Sequence, residues 1–169
     1  MRAIFHADNK WGIGRANDLM FILPKDMKFF RETTKGKTVV MGLNTLRSFP
    51  NGKPLKNRVN IVLSPDDVDE DVITVHNLDE LFEEVKKYPQ EDVFVIGGAS
   101  VYRALLPYCT EALVTKVDAD GGAEAFVPDL DADDNFELCE CSEPTEDNGY
   151  AIRFCIYRNK SVKNFGKKA

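Results

Sequence analysis

The sequence predicts an α/β fold: a mostly parallel central sheet with helices on both faces and a C-terminal antiparallel strand pair. Three observations carry this. Short β-branched runs, each closed by glycine or polar residues, recur along the chain. Amphipathic helical segments lie between them, and alternating strand and helix implies a parallel sheet covered on both sides. After residue 117 the helical patterns stop and two strand-like runs remain.

In order, residues 3–7 form the first strand. A helix over 25–34 opens after Pro24, which suits a first helical turn, and places Met27 and Phe30 on one side. Strands follow at 38–41, ending at Gly42, and at 59–63, ending at Ser64-Pro65. A strand at 72–75 leads to a helix over 77–87, with Asn77 as N-cap, acids early and lysines late. The strand 93–96 ends at Gly97-Gly98, and a helix over 100–106 is stopped by Pro107. A strand at 112–117 and the final pair, 136–141 and 152–157, complete the reading.

Composition narrows the function classes. The 169 residues are 43% hydrophobic and 30% charged, with a mean hydropathy of −0.31. This is the balance of one water-soluble domain, able to build a core without staples. The net charge of −6 argues against a nucleic-acid partner. From 117 to 152 there are twelve acids and no Lys or Arg, read as solvated surface, whereas the chain after Tyr157 is basic. No apolar run is long enough to span a membrane, and residues 1–8 lack a signal-peptide layout. Cys109, Cys139, Cys141 and Cys155 have neither Cys-x-x-Cys spacing nor a nearby histidine. They are read as buried, reduced thiols of a cytoplasmic protein, with no metal site.

Chemistry concentrates at two glycine-bearing strand-to-helix junctions, 39–45 and 95–102. Free N–H groups at a helix start can seat phosphate, and in open parallel sheets ligands bind at the strands' carboxyl ends. Neither junction carries Gly-x-Gly-x-x-Gly, so tight packing turns remain the alternative. Asp26 lies in a first helical turn beside Met27, Phe29 and Phe30. An acid there favours the helix dipole; in an apolar pocket desolvation would also raise its pKa and suit it to proton exchange. With no paired carboxylate, it fits proton delivery or binding of a protonated heterocycle. His6 and His76 read as packed or exposed residues. Ser48 and Ser100 lack a nucleophile-elbow context. Trp11 sits in a polar, glycine-rich loop suited to a mobile cover.

Five segments in this order resemble dihydrofolate reductases: Gly12-Ile13-Gly14, Leu23-Pro24-Lys25-Asp26, Met41-Gly42-Leu43-Asn44-Thr45, Leu63-Ser64, and Ile96-Gly97-Gly98-Ala99-Ser100-Val101-Tyr102. The resemblance runs from residue 2 to about 158. It implies a domain over 1–159 with a basic tail at 160–169, a cytoplasmic monomer, and hydride transfer from NADPH to 7,8-dihydrofolate, giving tetrahydrofolate. Asp26 is implied to bind the pterin and promote N5 protonation, Thr115 to hydrogen-bond its carboxylate, and Phe21 to lie beside them. Ile4, Phe5, Met27, Phe30, Ser48, Phe49 and Ile96 match the substrate wall, and Arg58 the arginine that grips the glutamate carboxylate. For the cofactor, Gly42, Leu43, Asn44 and Thr45 match one phosphate seat; Gly97, Gly98, Ala99, Ser100 and Val101 match the other, with a cis peptide joining the glycines. Ala7, Ile13, Gly14, Leu63, Ser64, His76 and Tyr102 match further cofactor contacts. The loop 9–19 matches the family's mobile loop, and Glu124 an acid that pairs with it.

Two departures modify the expectation. The family's tryptophan is replaced by Phe21, which has no N–H to hold a water, so Phe21→Trp is expected to raise activity. Where relatives carry a base for the 2′-phosphate, this chain has Leu43 and Pro65-Asp66-Asp67, so discrimination against NADH is expected to be weak. The alternatives are a same-fold pyrimidine reductase of riboflavin synthesis and a catalytically weak folate- or nucleotide-binding structural protein.

Overall fold

Residues 1–16, 19–68 and 71–165 are described by a computed structural model. The first half of the chain comprises β1 (Arg2–Ala7), β2 (Gly12–Gly14), α1 (Pro24–Thr34), β3 (Thr38–Gly42), α2 (Leu43–Ser48), β4 (Val59–Leu63) and β5 (Ile73–Val75). Then come α3 (Leu78–Val85), β6 (Val93–Gly97), α4 (Ala99–Leu105), β7 (Glu111–Val117), β8 (Ala125–Phe126), β9 (Phe136–Cys141), β10 (Thr145–Asp147) and β11 (Tyr150–Asn159).

The β-branched runs pair as β5-β4-β3-β6-β1-β7, all parallel, and β11 continues the sheet antiparallel to β7. The expected final pair is β9 with β11, and it gains a partner. β10, absent from the sequence prediction, pairs with residues 150–152 of β11, while β9 pairs with residues 155–159. β2 and β8, also unpredicted, form a separate small ribbon.

Strand alternation sorts the core into two layers. Val39 and Met41 face α1 and α2 together with Ile4, Phe94, Phe30 and Leu46. Val40, Val95 and Ile61 face α3 and α4 together with Leu81, Val85, Val101 and Leu105. Asn77 caps α3 as predicted, accepting from Glu80 N at 2.9 Å. The start of α1 has no cap of its own. Asp147 on β10 supplies one from across the fold, accepting from Lys25 N at 3.2 Å and Asp26 N at 3.1 Å.

The cysteines depart from the reading of four buried thiols. Cys109 and Cys155 are buried, but Cys139 is exposed on the outer strand. Cys141 and Cys155 stand directly opposite in the β9–β11 register and are joined as a disulfide. Spacing along one strand could not reveal a partner fourteen residues away on another. Past residue 159 the chain folds back, and Phe165 stacks on Phe82 at 5.0 Å. Lys167 and Lys168 of the basic tail lie outside the described residues.

Candidate functional site

Asp26 lies at the carboxyl ends of the parallel strands. Its Oδ1 accepts from Thr115 Oγ1 at 2.6 Å, and its Oδ2 lies 3.2 Å from His6 Nδ1. Three elements, α1, β7 and β1, therefore converge on one carboxylate, and Asp147 fixes its backbone from a fourth. No Lys or Arg pairs with Asp26 among the described residues. The apolar side of this end is Phe21, 5% exposed, with its ring 4.7 Å from Tyr150 and 6.0 Å from His6. Gly121 closes over it: a Cβ there would stand 2.9 Å from Phe21 Cζ and 2.7 Å from Met20 Sδ.

Leu19, Ile22 and Met27 are exposed, three of the six large apolar side chains that are so among the described residues. Ile4, Phe30, Phe49 and Ile96 lie in one apolar layer next to this region, so the structure brings together most of the predicted substrate wall. Phe5 does not join them. Alternation along β1 puts it in the other layer, 4.9 Å from the Tyr102 ring. Ser48 is exposed, and its hydroxyl donates to Thr45 O within its own helix.

Arg58 is half-buried at the far end of α1. Nε donates to Thr34 Oγ1 at 3.0 Å, while Nη1 and Nη2 donate to Lys56 O and Arg31 O. Burial and the neighbouring Arg31 lower its pKa, yet a guanidinium remains a cation. Three of its five N–H groups are anchored by the chain, which aims the rest.

The two glycine junctions meet because β3 and β6 are neighbours, with Met41 opposite Gly97. Gly97–Gly98 is cis, and Gly97 has φ 126°, a conformation reserved for glycine. A Cβ on Gly42 would stand 3.2 Å from Val101 Cγ2, and one on Gly98 would lie 3.6 Å from Thr45 Oγ1. Neither Gly42 nor Gly98 gives α2 or α4 a side-chain cap, so the first N–H groups of both helices are open to a ligand. Asn44 and Ser100 are exposed, Ala99 half-buried and Val101 buried at these starts. Tyr102 is fully buried, and its hydroxyl donates to Ile4 O at 2.7 Å; burial drives its pKa upward.

Past this seat the surface turns acidic. Ser64 is buried, Leu63 and Leu43 are half-buried, and Leu43 packs on the apolar layer. His76 is bound by Asp67 at 2.7 Å and by Glu80 at 3.2 Å; these hydrogen bonds raise its pKa from 6.5.

The glycine-rich loop is anchored at its root. Asp8, 1% exposed, accepts from the N–H groups of Lys10, Gly12 and Gly121. Trp11 is buried, its ring 5.6 Å from Tyr157, with Lys116 above it. Ile13 and Gly14 lie in β2, near Ala7 at the end of β1, and Gly14 O accepts from the backbone N–H of Glu124. The acid expected to pair with the loop thus reaches it through its main chain. Positions 17 and 18 of the loop fall outside the described residues.

Sequence reasoning missed His6 and Asp147. His6 is separated from its partner by a strand and a loop, and Asp147 is one of twelve acids in a stretch that reads as surface. A cavity of about 710 Å³ behind α1 is lined by Phe29, Thr33, Thr115, Glu140 and Phe154, but by neither Asp26 nor Arg58.

The family profile described as dihydrofolate reductase matches residues 1–159. The dihydrofolate reductase of Bacillus subtilis is 34% identical over 167 residues, covering 96% of each chain. That of Enterococcus faecium is 34% identical over 155 residues, 88% of this chain and 90% of its own. Among solved structures, Enterococcus faecalis dihydrofolate reductase complexed with NADP(H) and RAB-propyl superposes with a TM-score of 0.82 at 33% identity. That match covers 94% of this chain and 95% of the other.

Proposed function

The chain belongs to the dihydrofolate reductase family, and from that premise we propose how its own residues serve the reduction of 7,8-dihydrofolate to tetrahydrofolate. The family match favours this reaction over the pyrimidine reduction of riboflavin synthesis. NADPH is the donor in this reading; when bound, its reduced nicotinamide supplies the hydride.

The observation that carries the assignment is the Thr115–Asp26 hydrogen bond of 2.6 Å, set beside an apolar wall at the end of a parallel sheet. A carboxylate held this way has further lone pairs for the amino and ring N–H groups of a pterin, and such a pair of hydrogen bonds orients a planar heterocycle. Asp26 thereby fixes which face of the ring is reduced and supports proton uptake at N5. Phe30, Phe49 and Ile96 pack against the apolar rings and keep water from them. The free N–H groups of Arg58 take the glutamate carboxylate.

The residues present fit a dinucleotide phosphate chain. Gly97 and Gly98 allow close approach where a side chain would intrude, and the open N–H groups of α2 and α4 supply donors without any cation. Thr45 lies between the two seats. Discrimination against NADH rests on weak means, because His76 already faces two carboxylates. We take 1–159 as the catalytic domain and 160–169 as a basic appendage of a cytoplasmic monomer.

The test is loss of reduced-nicotinamide absorbance when dihydrofolate is added, with NADPH and NADH compared. Turnover with dihydrofolate supports the assignment. Binding of both ligands without turnover would instead indicate a folate-binding protein that keeps the fold.

A further inference from the structure

One polar group beside Asp26 has no task in the reductase reading, and the role inferred for it rests on that reading. The side chain of His6 is 6% exposed, and Nδ1 stands 3.2 Å from Asp26 Oδ2. Its Nε2 is buried and has no hydrogen-bond partner among the described residues. Buried polar atoms without partners are costly and rare, so an orphan nitrogen beside Asp26 points to a partner that comes with the ligand.

We propose that His6 is a positioning residue for Asp26, orienting the carboxylate through Nδ1–H and leaving Nε2 as an acceptor beside it, where Phe21 offers no polar atom. An ionised carboxylate only accepts, so the Nδ1 contact makes that nitrogen the proton bearer and leaves Nε2 with a lone pair. Nε2 can then accept from a water or from an N–H of the bound pterin.

Reduction consumes one proton along with the hydride, so a site that holds a proton near neutral pH is useful to it. Imidazole is the side chain that changes charge between pH 5 and 8. The groups facing this pair are few. Thr115 on β7 donates its hydroxyl to Asp26, and the Asp147 carboxylate accepts from the N–H groups of Lys25 and Asp26. The Tyr102 phenol from α4 feels the charge of Asp26, and its hydroxyl is bound to Ile4 O. Phe21 supplies only a ring. His6 is thus the one basic side chain in contact with Asp26 among the described residues.

His6→Asn keeps an N–H donor near the place of Nδ1 but does not titrate, whereas His6→Ala removes both functions. The experiment compares pH profiles of kcat and kcat/KM for dihydrofolate in the wild type and both variants, with thermal melts as a check on folding. The wild type should show an ionisation that both variants lack. His6→Asn should keep KM for dihydrofolate, while His6→Ala should lose about tenfold or more in kcat, as a displaced catalytic group does. Nitrogen-detected NMR of the wild type should find Nδ1 protonated in the free enzyme.

Variant profiles of unchanged shape, or an unprotonated Nδ1, overturn the role of His6 and leave the reductase assignment standing. A folded wild type that consumes no reduced nicotinamide with dihydrofolate overturns that assignment and this role together.

Discussion

At the α1 end of the site, Asp26 is held by side chains from three other elements, the farthest of them 121 residues along the chain. At the β4–α3 end, His76 is held by Asp67 and Glu80, nine and four residues away and both exposed. The first arrangement exists only once the sheet has assembled, and it is buried where hydrogen bonds are strong. The second is a local surface cluster, screened by water and salt, of a kind worth little to stability. In the proposed reading, the substrate end is thus fixed by the whole fold, whereas the adenosine end rests on a local surface cluster.

The sharpest way to break this contrast is to remove the charge at its centre. Asp26→Asn keeps the shape and one acceptor oxygen but cannot carry a carboxylate's charge. It should lower turnover at neutral pH by about 100- to 10,000-fold, the usual loss when an acid–base group is removed. Cofactor affinity, measured by nicotinamide fluorescence, should hardly move, because the glycine seats lie on other elements. A variant with near wild-type turnover would refute the role of Asp26.

Phe21→Trp separates polarity from space. The family resemblance suggests that the indole would restore activity. The structure instead shows Phe21 enclosed by Gly121, Tyr150 and Met20. The larger ring should cost about 1–3 kcal/mol of stability by overpacking. A melt shows the loss directly, and turnover assayed beside it would show whether an indole N–H raises activity despite that loss.

Asp147→Ala tests the remote cap. Two first-turn N–H groups of α1 lose their acceptor, and a lost N-cap costs about 0.5–2 kcal/mol. Turnover should fall as well, because Asp26 N is one of the two. If stability falls and turnover does not, Asp147 holds the helix start but not the position of the Asp26 carboxylate.

The same contrast explains what can be read from the sequence. β-branched runs, the Asn77 cap and the glycine junctions are local signals, and the parallel strands, α3 and both strand-to-helix junctions are legible from them. The Leu-Pro-x-Asp segment marks Asp26, but nothing adjacent marks His6, which meets it through strand pairing, or Asp147, whose neighbours in sequence are other acids. β10 is hidden because three residues carry too little pattern to be seen, and the Cys141–Cys155 bond because cross-strand register is not encoded by spacing. The resemblance groups Phe5 with Ile4, although a period of two sends successive residues to opposite faces.

The smallest expected effect lies at the adenosine end, and there the sign of the charge decides it. One imidazolium between Asp67 and Glu80 leaves that cluster net negative, an unfavourable neighbour for a 2′-phosphate. Leu43, where a base would serve, is packed against the apolar layer instead. Asp67→Lys reverses one charge at a side chain 86% exposed, so folding should be unaffected. Preference for NADPH over NADH should rise by about two- to fivefold, as exposed ion pairs are worth about 0.2–1 kcal/mol, and the gain should shrink in high salt. In the wild type, the two hydrogen bonds raise the pKa of His76 above 6.5, so its charge is complete below about pH 6.5 and fades as pH rises through the raised value. Whatever His76 contributes to folding or to NADPH preference is therefore present on the acid side and lost on the alkaline side. His76→Gln should flatten both profiles across that window. A wild-type preference that instead strengthened with rising pH would show that some other group meets the phosphate.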